Sequence, residues 1–158
     1  MSTPEKDFWN KTLTEYQTLL ASRFAGSGTA DKLTVLVIDD EKEILDLVSA
    51  QIEELGLRAI TMTDPTMAVA AADQNKWNLA GIISDYQMPQ VDGISLRKLL
   101  LEIIPDVPFF ILSAHVDKEM ALRGLELKIS AFLNKPLDVG SFCQVFNGDI
   151  RKRIEAIL

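Results

Sequence analysis

The fold is decided by AGIISDYQMPQVDG, residues 80–93. Its short apolar run predicts a buried strand, which ends in Asp85 and is followed by turn residues. In an open parallel sheet, ligands bind at the carboxyl ends of the strands, so Asp85 is a candidate for chemistry. A single acid at the end of a strand also serves as a helix cap or turn former, so other residues have to support a functional role.

Around this stretch, apolar segments alternate with helical patterns. The predicted strands are 33–38, 57–62, 80–84, 108–112 and 129–133, and the predicted helices are 41–55, 66–74, 94–104, 117–125 and 138–158. Gly148 weakens the last helix locally. Strands that are apolar throughout and separated by helices predict a parallel sheet that is covered on both faces. With right-handed crossovers, the expected architecture is a doubly wound α/β fold.

A separate helix is predicted before the sheet. Residues 4–24 place apolar and aromatic side chains near one side of an amphipathic helix, and the small residues 25–30 predict a linker. We therefore expect an N-terminal helix and linker at 1–32 and a compact domain at 33–158. The helix could pack on its own domain, pair with a second copy, or dock on a kinase or effector, and the first two roles are favoured.

Composition narrows the possible partners. The 158 residues carry a formal net charge of −7, which argues against nonspecific binding to nucleic acid or to an anionic membrane. The single cysteine, Cys143, cannot form an internal disulfide. The sequence shows neither a secretory signal nor an apolar run near the roughly 20 residues of a membrane span, so a cytoplasmic location is expected.

The other strand ends add polar groups beside Asp85. Asp39 and Asp40 follow the first strand, Ser113 follows the fourth, and Lys135 follows the fifth. Each of them has an ordinary alternative role as a cap or surface charge, but together they suit one reaction. Three carboxylates favour Mg²⁺ or Mn²⁺, and Asp85 is placed to attack a phosphoryl group as the nucleophile. Ser113 and Lys135 would then contact the phosphoryl oxygens.

Four separated motifs carry a resemblance to a known family. They are VLVIDDE at 35–41, SDYQMP at 84–89 with Asp92-Gly93, ILSA at 111–114, and FLNKP at 132–136. From about Leu33 to the C-terminus, the sequence resembles the receiver domain of two-component response regulators. The resemblance implies a flavodoxin-like sheet with strand order 2-1-3-4-5. It also implies an aspartyl phosphate at Asp85, received from a histidine kinase or phosphotransfer protein in a Mg²⁺-dependent reaction.

The resemblance also implies roles for particular residues. Asp39 and Asp40 match the metal-binding acids, with Asp85 itself and the backbone carbonyl of Gln87 as further ligands. Ser113 matches the switch hydroxyl and Lys135 the phosphate-pairing lysine, which precedes a cis bond to Pro136.

Three further positions match residues that tune the family's response. Phe132 matches the aromatic switch residue, although a phenylalanine lacks the hydroxyl of the tyrosine often found there. Gln87 and His115 match positions that tune the lifetime of the phosphate. We hypothesise that replacing either one changes the dephosphorylation rate and leaves phosphate uptake largely intact.

The implied output is a population shift on a protein-interaction surface. The surface comprises the fourth helix of the domain, the fifth strand and the last helix, and its effector is an unknown protein. A homodimer could form through this surface or through residues 4–24. Such a chain is a phosphoacceptor and not an enzyme. The alternatives are a phosphorylation-independent scaffold and a small Mg²⁺-dependent aspartyl-phosphate hydrolase, although hydrolases carry Asp-x-Asp after the first strand and here Asp39 and Asp40 are adjacent.

Overall fold

A five-stranded parallel sheet forms the centre of the protein. The computed structural model describes residues 1–24 and 32–158, so the predicted linker at 25–30 lies outside the described residues, as do the side chains of residues 22–24. The strands are β1 (Thr34–Ile38), β2 (Arg58–Met62), β3 (Leu79–Asp85), β4 (Phe109–Ser113) and β5 (Ala131–Asn134). Their order in the sheet is β2-β1-β3-β4-β5, which confirms the predicted doubly wound topology.

Helices cover both faces of the sheet. They are α1 (Thr3–Phe24), α2 (Lys42–Glu54), α3 (Ala68–Asn75), α4 (Gly93–Leu101), α5 (Lys118–Glu126), α6 (Val139–Asn147) and α7 (Asp149–Ile157), with a short 3-10 turn at Pro65–Met67 before α3. One hydrophobic core joins the sheet to α1, α2, α6 and α7, and a second joins the opposite face to α3 and α4. Because the strands carry apolar side chains on both faces of the sheet, they contribute to two separate cores.

Aspartate caps fix the points at which three helices leave the carboxyl edge of the sheet. The side chains of Asp92, Asp117 and Asp138 accept hydrogen bonds from backbone N–H groups three residues ahead, at 2.7, 2.8 and 2.7 Å. These caps begin α4, α5 and α6, which follow β3, β4 and β5 respectively. Because each cap satisfies an otherwise unpaired N–H group, it also holds the loop before the helix in place.

The prediction of one continuous helix over 138–158 is wrong. Gly148 has φ −96° and ψ −114°, outside the helical region, and separates α6 from α7. The chain then turns so that α7 packs on β3. A Cβ atom at Gly81 would lie only 3.0 Å from Ile150 Cδ1, so the missing side chain at position 81 leaves room for Ile150.

Helix α1 packs on α6 of the same chain. The rings of Trp9 and Phe142 have centroids 5.7 Å apart, and those of Tyr16 and Phe146 are 6.3 Å apart in an edge-to-face arrangement. Trp9 and Tyr16 are buried, and the Tyr16 hydroxyl donates a hydrogen bond to the backbone carbonyl of Phe146. Of the three predicted roles for this helix, packing on its own domain is the one present in the structure.

Polar contacts connect α1 to three other helices. Asn147 Nδ2 of α6 donates to Thr12 Oγ1 at 2.9 Å, and Arg151 of α7 forms an ion pair with Glu15 at 2.8 Å. The indole N–H of Trp9 donates to Glu54 of α2 at 3.4 Å. Helix α1 is thus held at several points along its length. Within residues 1–24 and 32–158, no helix combines the length and apolar character needed to span a membrane.

Candidate functional site

Three carboxylates meet where β1 and β3 end. These strands pair in parallel with Ile38 opposite Ser84, so the residues that follow, Asp39 and Asp85, lie at the same level of the sheet. Asp39 is fully buried and Asp85 is 5% exposed, whereas Asp40 faces solvent. One carboxylate oxygen from each of the three lies within 4.8 Å of the other two. The structure therefore brings together the three acids that the sequence predicted.

Lys135 places one ammonium group between these carboxylates. Its Nζ atom lies 3.1 Å from Asp85 Oδ1 and 3.2 Å from Asp39 Oδ2. A third contact, 3.4 Å to Glu41 Oε1, involves an acid that the sequence reasoning did not include in the site. The signal that could have identified Glu41 is its position directly after Asp40. The Lys135-Pro136 peptide bond is cis, as the family resemblance implied.

Burial and mutual repulsion set the protonation of the site. Burial, assisted by the nearby Asp39 charge, raises the pKa of Asp85 to about 6, and Lys135 only partly offsets this effect. Burial also raises the pKa of Asp39. For Lys135, burial alone would lower the pKa, but the neighbouring Asp85 and Asp39 carboxylates raise it overall. The cluster therefore carries more negative charge than its one lysine neutralises.

The residues present fit a hard divalent cation. Oδ2 of Asp39 is buried and accepts no hydrogen bond from the described residues. Lys135 Nζ lies 3.2 Å from it and contacts it as an ion pair. A buried carboxylate oxygen without a hydrogen bond is costly, and a metal ion would satisfy it. The donors are all oxygen atoms, which suits Mg²⁺ or Mn²⁺.

Ser113, Gln87 and His115 line the cavity beside the acids. The cavity has a volume of about 560 Å³, and Asp85 and Lys135 also contribute to its wall. The Ser113 hydroxyl donates to the His115 carbonyl at 2.6 Å and accepts from the His115 N–H at 3.2 Å. The structure thus brings Ser113 to the predicted place, but its hydroxyl bonds within its own loop and would have to turn to reach a group on Asp85.

Phe132 occupies a different position from the other predicted residues. It pairs with Ile111 of β4 and packs against the core on the α3 and α4 side of the sheet. Its ring lies directly over Gly124 of α5, where an added Cβ would collide with Cε2 and lie 3.0 Å from Cζ. Sequence reasoning missed this contact, although a glycine inside the last turn of a helix was a signal of a close packing contact.

Comparison with known proteins identifies the family. The model of the response regulator receiver domain matches residues 35–147, which covers the sheet and α2 to α6. The chain therefore belongs to the family of response regulator receiver domains of two-component systems. It is 30% identical over 124 residues to the alkaline phosphatase synthesis transcriptional regulatory protein PhoP of Bacillus subtilis, covering 78% of this chain and 48% of that protein.

Two further similarities agree. The two-component response regulator ARR10 of Arabidopsis thaliana is 27% identical over 121 residues, covering 76% of this chain and 22% of that protein. The solved receiver domain of the Francisella response regulator 1452 is 31% identical, with a TM-score of 0.67, and the match covers 75% of this chain and 97% of that one. The match thus spans less than half the length of either curated regulator and nearly the whole of the isolated receiver domain.

Proposed function

We propose that Asp85 is a phosphoacceptor that receives its phosphoryl group from a histidine kinase or phosphotransfer protein in a Mg²⁺-dependent reaction. The observation that supports this role is the convergence of the Asp39, Asp40 and Asp85 carboxylates on one site with the Lys135 ammonium. An oxygen of Asp85 attacks phosphorus, the bond from phosphorus to the donor imidazole nitrogen breaks, and that imidazole takes up a proton. The product is an acyl phosphate.

Each neighbour of Asp85 has a proposed part in this reaction. Asp39, Asp40, Asp85 and the Gln87 carbonyl would hold the metal ion, which would neutralise charge on the phosphoryl oxygens. Lys135 already contacts Asp85 Oδ1 and would pair with a second phosphoryl oxygen. The Ser113 hydroxyl would give up its hydrogen bond to the His115 carbonyl and donate to a third phosphoryl oxygen.

We propose that this exchange at Ser113 drives the output. As the Ser113 hydroxyl turns inward, the β4-to-α5 loop moves and Phe132 changes its position over Gly124. The surface formed by α5, β5 and the two helices of the C-terminal segment, α6 and α7, then changes its preference for a protein effector or for a second copy of the chain. In this proposal, residues 1–32 form an N-terminal helix and linker, residues 33–158 act as the receiver, and neither nucleic acid nor a membrane is a partner.

The central test is phosphate uptake measured by intact mass. Incubation with acetyl phosphate and Mg²⁺ should add one phosphoryl group to the wild type and none to Asp85→Asn, and chelation of the metal should prevent the addition. The exposed Asp46→Asn variant serves as a matched control and should be phosphorylated normally. A folded wild type that gains no phosphate would support the scaffold alternative, and continued turnover of a phosphate ester would support the hydrolase alternative.

Gln87 and His115 are proposed to control how long the phosphate persists, because both line the cavity that an attacking water would cross. Gln87→Ala and His115→Ala should change the rate of phosphate loss at unchanged uptake. Gln144→Ala, which replaces an exposed glutamine on α6, is the control. Identical decay rates in all three variants would remove this role.

A further inference from the structure

A second distinctive surface lies at the end of the sheet opposite Asp85, where the strands begin. Trp77 precedes β3 and is 80% exposed, and Lys76 Nζ lies 5.5 Å from the centre of its ring. Two neighbouring grooves of about 370 and 510 Å³ run from Trp77 past the start of β4 to the start of β5. We call these grooves and Trp77 the amino-edge surface. The length of β3, about 20 Å for seven residues, separates it from Asp85.

Helix α7 builds one wall of this surface. The break at Gly148 turns α7 onto β3, and this places Lys152 and Arg153 beside the grooves. Arg153 is fixed there because its Nε donates to the Leu79 carbonyl at 3.3 Å. The match to the receiver-domain family model ends at residue 147, so α7 follows the matched residues.

Arg97 provides a rigid, charged floor. It is only 2% exposed, and its guanidinium donates to the carbonyls of Leu127 and Lys128 at 3.0 and 3.2 Å. It also stacks over Phe109, 5.4 Å from the ring centre. A third carbonyl, of Val107, accepts at 3.4 Å, and among the described residues Arg97 forms no ion pair, so its positive charge adds to the potential along the groove.

The local charge is opposite in sign to that of the whole chain. The grooves are lined by five cationic and two acidic side chains, namely Lys76, Arg97, Lys128, Lys152, Arg153, Asp106 and Asp149. The full sequence has 16 Lys and Arg against 23 Asp and Glu. An exposed tryptophan next to an arginine side chain, as Trp77 is next to Arg153, is the composition found at the energetic centres of protein interfaces.

We propose that the amino-edge surface docks an acidic segment of a partner protein, with an apolar side chain of that segment packed on Trp77. Charge complementarity selects acidic groups, and the apolar area of Trp77 adds affinity that salt does not screen. A nucleic acid is the less favourable occupant, because its dense charge would be repelled by the remaining net-negative chain. The surface is distant from Asp85, so docking there does not require phosphorylation.

The test uses a fluorescein-labelled peptide in which glutamates alternate with leucine and phenylalanine, followed by fluorescence anisotropy with the full chain. We expect saturable binding that weakens with added salt, and little binding of the same peptide with glutamine in place of glutamate. Trp77→Ala and Lys152→Glu should each weaken binding about tenfold, as expected for residues at an interface centre. Both side chains are exposed, so folding should be preserved.

Two exposed residues elsewhere provide matched controls. Leu47→Ala on α2 removes an exposed apolar side chain, and Lys11→Glu on α1 makes the same charge reversal as Lys152→Glu, and both should leave the affinity unchanged. The proposal is overturned if the acidic peptide shows no saturable binding, or if the control variants weaken binding as much as Trp77→Ala. It is also overturned if a labelled single-stranded oligonucleotide binds more tightly than the peptide. Phosphate uptake is measured separately, so failure here leaves the proposed function of Asp85 unaffected.

Discussion

Asp85 has a pKa of about 6 because it is buried beside another carboxylate, and this makes the stability of the metal-free protein depend on pH. In the unfolded chain its pKa returns to near 3.8. Between about pH 4 and pH 6 the native state therefore holds a proton that the unfolded state has lost. The free energy of unfolding should fall as the pH rises through this window.

Urea denaturation of the wild type and Asp85→Asn across this range isolates the effect of Asp85. The difference between the two proteins should grow in favour of Asp85→Asn as the pH rises and then level off above about pH 6. With saturating Mg²⁺ the wild type should recover its stability, because an ion held by the folded carboxylates would favour the native state. A difference that is constant with pH would contradict the cause assigned to this pKa.

The contact between α5 and β5 depends on the absence of a side chain at Gly124. Gly124→Ala should stabilise an ordinary helix by roughly 1 kcal/mol, but here the new Cβ would collide with the ring of Phe132. We therefore expect a loss of about 1–3 kcal/mol in urea denaturation, because the ring has to move out of place.

Two variants test the cause of that loss. Gly140→Ala in α6 is the matched control, since its Cβ would meet only Asp138 Oδ1 at 3.4 Å, and it should be neutral or stabilising. The double variant Gly124→Ala with Phe132→Ala should lose less stability than the sum of its parts. Additive losses would show that the ring and the glycine are not coupled.

The junction of α6 and α7 depends on hydroxyl groups from α1. The carbonyl of Phe146 lies just before the break at Gly148 and accepts a hydrogen bond from the Tyr16 hydroxyl. Thr12 accepts a hydrogen bond from the side chain of Asn147. Tyr16→Phe and Thr12→Val should each cost about 1–2 kcal/mol in urea denaturation, because each leaves a buried polar group without its partner.

Thr18→Val is the control for these two changes. Thr18 is exposed and its hydroxyl bonds only within α1, so we expect a change below about 0.5 kcal/mol. If Tyr16→Phe and Thr12→Val are as mild as Thr18→Val, α1 does not stabilise the break between α6 and α7.

Over the whole molecule, the sequence predicted those features of the fold and the site that follow from one local pattern of residues. Apolar strands separated by helices predicted the parallel sheet, and a parallel sheet brings Asp39, Asp85 and Lys135 to one edge. The orientation of the Ser113 hydroxyl depends on the backbone of its loop, which no spacing rule specifies. The strand order came from the family resemblance and not from periodicity.

The break at Gly148 and the partner of α1 were harder to predict for a related reason. Apolar residues continue at helical spacing across position 148, so the pattern shows neither the break at Gly148 nor the room that the distant Gly81 leaves for Ile150. The apolar side of α1 was visible in the sequence. Its partners, Phe142 and Phe146, lie at core-like spacing in the predicted last helix, and only the folded structure shows that they contact Trp9 and Tyr16.

The two tryptophans lie in contrasting surroundings, and this gives the protein two built-in optical reporters. Trp9 is 5% exposed and rests against Phe142, whereas Trp77 is 80% exposed. Emission from Trp9 should be blue-shifted and shielded from iodide, and emission from Trp77 should be red-shifted and readily quenched. Release of α1 would expose Trp9 without altering Trp77. Movement of the N-terminal helix could therefore be followed by the unquenched fraction of emission in unlabelled protein.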